Sequence, residues 1–308
     1  MRKFLLKLVY LIFPLMLLCF YLEYNLGTVP NSYSFKRACF EKKLDSTEVL
    51  VLGSSQAAYG INPDYFRLKG FNLGNISQSL YYDNRLTLKY IDKMPNLRFV
   101  VINVSYFSLG FQVADGVEKW RDYYYSQFWD IDFVELDKFD LKRYSKIVLY
   151  TPRVAFSYLK QGFHVTLTAD YLSNGFLKPD TIGSYKNISY QLGAERVSFH
   201  DRLYRESRCK QNEVDLEQLV SEIKKRKITP VIVTPPVLST YFKFVNQEKQ
   251  KKMHDVINAL CLKYQCKYYD YFTDSRFVQG DFIDNDHLNF VGAKKFSTII
   301  NDEILERK

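Results

Sequence analysis

The sequence has no P-loop, no dinucleotide-binding glycine fingerprint and no cysteine–histidine cluster at metal-ligand spacing. Nucleotide, redox-cofactor and zinc chemistry therefore find no carrier in it, and no cofactor or metal is expected. Histidine is scarce: only His164, His200, His254 and His287 occur, so any imidazole chemistry falls to one of these. The cysteines say little. Cys19 lies in an apolar N-terminal run, Cys39 and Cys209 are isolated, and Cys261 and Cys266 have no histidine nearby. An exported location would permit a Cys261–Cys266 disulfide, and buried free thiols are the alternative. There is no internal repeat and no low-complexity tract.

What is present is a chain of 308 residues with 47% hydrophobic content, enough for one large α/β domain with an insertion or for two modest domains. Aromatic residues reach 17%, which serves core packing first and a sugar- or lipid-binding surface second. The net charge of +9 is compatible with anionic glycan, anionic lipid or simple solubility. No nucleic-acid partner is expected. The basic runs Lys224-Lys225-Arg226-Lys227 and Lys249-Gln250-Lys251-Lys252 fall at the end and start of predicted helices, where charge is usually a solvated face, and neither belongs to a nucleic-acid-binding motif.

Arg2, Lys3 and Lys7 precede an almost unbroken apolar run from Leu8 to Leu22. Counted from Phe4, with Lys7 snorkelling, it approaches the roughly 20 residues that span a bilayer. Basic flanks stay cytoplasmic, so the chain after about residue 25 is expected outside the cytoplasm, with the membrane as a partner. A cleaved signal peptide is the main rival, but Tyr21-Leu22-Glu23-Tyr24 offers no small-residue cleavage site, and Leu18 before Cys19 argues against lipoprotein processing. The reading is a signal-anchor helix over 1–25 and a linker over 26–47. A domain from 48 to 308 follows.

Within that domain, 48–53 (Glu-Val-Leu-Val-Leu-Gly) reads as a buried strand that ends in a Ser54-Ser55 loop. Strands over about 70–75 and 97–104 follow, with a helix over about 79–94 between them. Leu216, Leu219, Val220 and Ile223 mark a further helix, 229–234 a strand closed by Pro235-Pro236, and Met253, Val256, Ile257 and Leu260 another helix. A strand over about 266–271 and a helix from about Val291 complete the rhythm. Five strands alternating with helices predict a three-layer α/β/α sandwich on a parallel sheet, with its site beyond the carboxyl ends of the strands. The rhythm breaks over about 109–208, which holds Trp120, Tyr123-Tyr124-Tyr125, Trp129, Tyr171 and Tyr185. This stretch reads as an insertion, either an elaborated loop packed on itself or a lid or acceptor-binding surface.

A serine hydroxyl needs a base to become a nucleophile. Ser55 stands in a turn just after a buried strand, although Gly-Ser-Ser there also suits a plain β–α turn. Of the four histidines, only His287 has a patterned acid: Asp284 precedes it by three residues in a short polar loop, a spacing that presents carboxylate and imidazole to one side. A cluster capping the final helix is the alternative, and Asn289 can serve as that cap in either case.

Gly53-Ser54-Ser55 and Asp284-x-x-His287 together resemble the first and last blocks of the SGNH, or GDSL-type, hydrolase superfamily. Asn72-Leu73-Gly74-Asn75-Ile76-Ser77-Gln78-Ser79 is similar to its second block, with Ser77 where that family usually has glycine. The third block departs: Asn103-Val104-Ser105-Tyr106-Phe107 lacks the Gly-x-Asn-Asp whose asparagine donates to an oxyanion. The resemblance, spread over 48–108 and 214–305, implies a flavodoxin-like sheet of the SGNH type. It also implies Ser55 as nucleophile, His287 as base, Asp284 as its acid, and the backbone amides of Ser55 and Ser77 as oxyanion donors. More narrowly, Gly53 to Pro63, Gln78 to Tyr82, Thr234-Pro235-Pro236 and Asp284 to Asn289 resemble exported bacterial members associated with envelope polysaccharides, which remove or transfer O-acyl groups, commonly acetyl. A non-catalytic glycan-binding or assembly protein and a lipid esterase are the other readings that this resemblance leaves open.

Overall fold

The computed structural model describes residues 2–165, 171–179 and 188–306. Tyr185, one of the insertion's aromatic residues, lies outside them. The described chain forms helices α1 (Arg2–Thr28), α2 (Ser32–Glu41), α3 (Ser55–Gly60), α4 (Leu80–Tyr90), α5 (Trp120–Trp129), α6 (Lys146–Leu149), α7 (Pro152–Lys160), α8 (Tyr190–Leu203), α9 (Glu206–Lys225), α10 (Ser239–Phe242), α11 (Gln247–Tyr264) and α12 (Phe290–Ile300). The strands are β1 (Val49–Leu52), β2 (Gly70–Asn72), β3 (Phe99–Asn103), β4 (Thr229–Thr234) and β5 (Lys267–Asp270). Two compact units result, one of residues 1–35 and 120–169, the other of 36–119 and 170–308.

In the larger unit, the five strands among the described residues form one parallel sheet in the order β2-β1-β3-β4-β5. The predicted sheet is the sheet found. Residues 49–52 and 100–103 are buried throughout, as expected for strands covered on both faces. On one face Val49, Val51, Val101, Val231 and Val233 pack with Ala57 of α3 and with Phe296 and Ile300 of α12. On the other, Leu50, Leu52, Val100, Ile102 and Ile232 are equally buried, and α9 packs on both α4 and α11. Phe296 is fully buried among these side chains, so its replacement by alanine should cost about 3–5 kcal/mol. The 26–47 stretch contains α2, whose Phe40 packs on Phe71 and Tyr90. Cys261 and Cys266 are free thiols whose sulfurs face each other at 2.8 Å.

The smaller unit is helical. Its α1 is long and apolar enough to cross a membrane. One face of α1 becomes covered from Leu22 and Glu23 onward, where α6 and α7 pack on it. Leu26, Val29, Tyr150 and Phe163 form a small buried core with Ile147, Val154, Ala155 and Tyr158 around them. The Glu23 carboxylate accepts from Ser145 Oγ (2.8 Å), Lys146 N (2.6 Å) and Ile147 N (3.2 Å), which satisfies the open amides at the start of α6. The expected insertion is thus shared between the units: 120–165 lies in the smaller one, while 171–179 and α8 lie in the larger.

Candidate active site

The sheet delivers its loops to one end, beyond the carboxyl termini of β1, β2 and β3. After β1 the chain turns sharply at Gly53, whose φ of +132° is open to glycine and strained for other residues. A Cβ there would lie 2.7 Å from Asn103 Cβ, so the close approach of β3 also demands glycine. The turn aims Ser55 into the site from the first residue of α3, not from a loop as the sequence suggested. The turn is held by Asp83, which accepts from Gly53 N at 3.0 Å and from the Gln78 side-chain Nε2 at 2.6 Å. Burial raises the Asp83 pKa to about 7, against the pull of those two donors.

Ser55 and His287 lie 232 residues apart in sequence, yet Ser55 Oγ is 2.8 Å from His287 Nε2. The other ring nitrogen, Nδ1, lies 2.9 Å from Asp284 Oδ2 and 3.2 Å from Oδ1. Asp284 Oδ1 also accepts from the backbone N–H of Asp286 (3.0 Å) and His287 (2.8 Å), so the i, i+3 turn is closed by the acid itself. Burial disfavours the Asp284 charge, but His287 and these amides outweigh it and hold the carboxyl well below the usual range. An ionised Asp284 accepts from Nδ1–H, which leaves Nε2 to accept the Ser55 hydroxyl proton. Burial likewise opposes charge on His287, while Asp286 and Asp284 favour it, and the pKa is raised. Asn289 caps α12 by accepting from Val291 N and Gly292 N, so capping and the Asp284–His287 pair coexist.

Ser77 lies across the same cavity, in the loop after β2. Its φ of +55° is left-handed, which explains why glycine suits this position, and its hydroxyl donates to Glu118. The amide N–H groups of Ser55 and Ser77 have no hydrogen-bond partner among the described residues, and both residues line the cavity. The Ser77 loop is pinned by Asn72, whose side chain donates to Ala57 O and Ile61 O and accepts from Gly74 N. Lys36 donates to Gly74 O from a fully buried position, and that burial lowers its pKa to about 7.

Asn103 and Tyr106, in the stretch that departs from the third block of the family the sequence resembles, do not line this cavity. Asn103 is 2% exposed, and its carboxamide has no hydrogen-bond partner among the described residues. The Tyr106 hydroxyl instead faces Val197 O at 3.4 Å.

The sequence did not reveal the residues behind His287. Asp286 is buried, with Oδ1 2.9 Å from Arg196 Nε and 3.7 Å from His287 Nδ1. Burial raises its pKa, opposed by His287 and Arg196. His200, which had no patterned acid in the sequence, stacks on Phe107 with ring centroids 4.1 Å apart. Its Nδ1 lies 2.5 Å from Tyr241 Oη, and its Nε2 is 4.0 Å from Asp286. Burial, reinforced by Arg196 and His287, pushes its pKa well down, so this ring is neutral. Arg196 and His200 sit on α8, where no motif marks them; the Asp-Asn-Asp-His string was the only available signal for Asp286. Among the described residues Asp284, Asp286 and His287 bring donor atoms within 4.8 Å of one another. Those of Asp284 and His287 are engaged in the hydrogen bonds above, and Asp286 pairs with Arg196.

The cavity holds about 430 Å3. Tyr59, Phe107, Phe111 and Phe199 give it aromatic walls, with Arg196 and Glu118 as charged groups. Of the remaining histidines, His254 on α11 pairs with Asp270 of β5 at 3.0 Å and does not line this cavity.

No protein-family model matches the sequence, and no curated protein matches it. Among solved structures it is similar to a protein assigned as an acylhydrolase from Bacteroides fragilis, with 10% identity, a TM-score of 0.42, and coverage of 90% of this chain and 98% of that one. It is also similar to a GDSL-like lipase from Bacteroides thetaiotaomicron, with 10% identity, a TM-score of 0.39, and coverage of 90% and 99%.

Proposed function

We propose that this chain is a membrane-anchored serine esterase or O-acyltransferase that forms an acyl-Ser55 intermediate. The observation that carries the reading is the Ser55 Oγ to His287 Nε2 distance of 2.8 Å with Asp284 on the opposite ring nitrogen. His287 removes the Ser55 proton as Oγ attacks the ester carbonyl carbon. The backbone N–H groups of Ser55 and Ser77 receive the developing oxyanion. His287 then returns the proton to the departing alcohol, leaving the acyl group on Ser55. Water or a sugar hydroxyl next attacks this ester, giving up its proton to His287, and Ser55 is regenerated. The substrate proposed is an acyl ester, acetyl above all, of a cell-envelope carbohydrate. A 430 Å3 cavity with aromatic walls suits a sugar ring carrying a short acyl group. The proposed location is the bacterial inner membrane, spanned once by α1, with the larger unit in the periplasm or outside the cell.

Turnover of p-nitrophenyl acetate by the purified full chain tests the chemistry, with Ser55→Ala as control. Activity in the wild type and none in the variant supports the reading. One observation favours a second reading, a glycan-binding protein without catalysis: neither Asn103 nor Tyr106 reaches the cavity to supply a third oxyanion donor. If the wild type is inert and binds an acetylated glycan as well as Ser55→Ala does, that second reading replaces the first.

A further inference from the structure

We infer that the smaller unit carries a membrane-interface foot, formed by α7 and the segment before it, which rests on the anionic phospholipid surface of the bilayer that α1 spans. The inference relies on α1 being retained as an anchor. From Phe4 to Tyr21 α1 is exposed to its surroundings, a length of roughly 26 Å at about 1.5 Å per residue, close to the ~30 Å hydrocarbon core. Cover begins immediately after this stretch. Glu23 clasps the first amides of α6, and Tyr21 meets Phe163 edge-on at 6.1 Å. These contacts fix α6 and α7 at the level where α1 leaves the hydrocarbon.

The surface presented there is amphipathic and basic. Val154, Ala155 and Tyr158 turn the inner face of α7 to the unit's core, while Phe156 (56% exposed) and Leu159 (42% exposed) project from the outer face. Arg153 and Lys160 flank them, and Lys160 Nζ lies 4.8 Å from the Phe156 ring centre. Just upstream, Leu141, Tyr144 and Val148 are also exposed. Residues 141–165 contain no aspartate or glutamate, and Lys142, Arg153 and Lys160 are exposed among them, whereas Arg143 pairs with Asp132 and Lys146 is half-buried beside Glu23. Large apolar side chains ringed by basic ones match an interface lying between acyl chains and phosphate headgroups, with long cationic side chains reaching back to water. Charge complementarity and continuity with α1 both select a bilayer over a protein partner.

The test uses the full chain reconstituted in vesicles of phosphatidylcholine and phosphatidylglycerol, with and without bromine on the acyl chains just below the headgroups. Phe156→Trp is compared with the unmodified protein, whose Trp120 and Trp129 set the background. Brominated lipid should cause a loss of the added emission of Phe156→Trp. The Phe156→Trp loss should shrink when phosphatidylglycerol is omitted. Protein that stays with the vesicles while Phe156→Trp is unquenched overturns the foot but not the anchor, and assigns this face to a protein partner. Quenching indifferent to phosphatidylglycerol overturns the anionic preference. Protein that fails to stay with the vesicles overturns anchor and foot together.

Discussion

Replacing Asp286 by asparagine should move the protonation of His287 to lower pH. The substitution keeps the shape of the side chain and removes a charge 3.7 Å from Nδ1. At that separation, Coulomb's law with an effective dielectric of about 20 gives roughly 4.5 kcal/mol, or about 3 pKa units at ~1.4 kcal/mol per unit. Arg196, 2.9 Å from the same carboxylate, cancels part of this field in the wild type. A fall of about 1–2 units is therefore expected, within the usual range for a neighbouring charge. The sign follows from the raised pKa. Charged His287 is favoured in the folded protein, so its stabilisation is present below the unfolded pKa and is lost as pH rises through the folded one. Asp286→Asn weakens that stabilisation, and it extends the neutral, base-competent ring to lower pH. The acid limb of kcat/KM for ester turnover should shift downward, and NMR titration of the labelled His287 ring should read the same change without turnover. An acid limb and ring titration that stay in place, or move upward, would refute the assigned role of Asp286.

Gly53→Ala should lower stability by roughly 2–5 kcal/mol, because it combines overpacking against Asn103 with a strained backbone, and its melting temperature should fall accordingly. Ser77→Gly relieves a left-handed residue while keeping the amide, so ester turnover should persist within a few-fold of wild type by steady-state assay despite the lost hydroxyl contact with Glu118. Lys36 has a folded pKa depressed to about 7, so its contribution is present above the unfolded value near 10.5 and is lost as pH falls toward 7. Melting temperatures taken between those limits should fall with decreasing pH more steeply for wild type than for Lys36→Met.

The sheet was legible because parallel strands buried on both faces are written as short continuous apolar runs, such as Val49 to Leu52, between helices with a clear apolar stripe. The Ser55, Asp284 and His287 set was legible because each lies at a strand end or a helix start, in a short polar string. Arg196 and His200 were not legible, since α8 brings them to the site from the irregular insertion and their partners are remote in sequence. Periodicity also said nothing of the split within 109–208. That depends on Glu23 and Leu22 meeting α6 and α7, contacts between segments more than a hundred residues apart that leave no local pattern. The position of Ser77 was readable only by its likeness to a glycine position, and its φ of +55° supplies the physical reason.

Labelling by a fluorophosphonate, followed by mass-spectrometric mapping, reads directly whether Ser55 is a nucleophile activated by His287. Attack by Ser55 Oγ on phosphorus expels fluoride and leaves a stable phosphonyl ester. The expected result is one modified peptide, containing Ser55, with labelling slowed by roughly 10²–10⁴-fold in His287→Ala. Folded protein that remains unlabelled, or that carries the label elsewhere with Ser55 free, would contradict the claim.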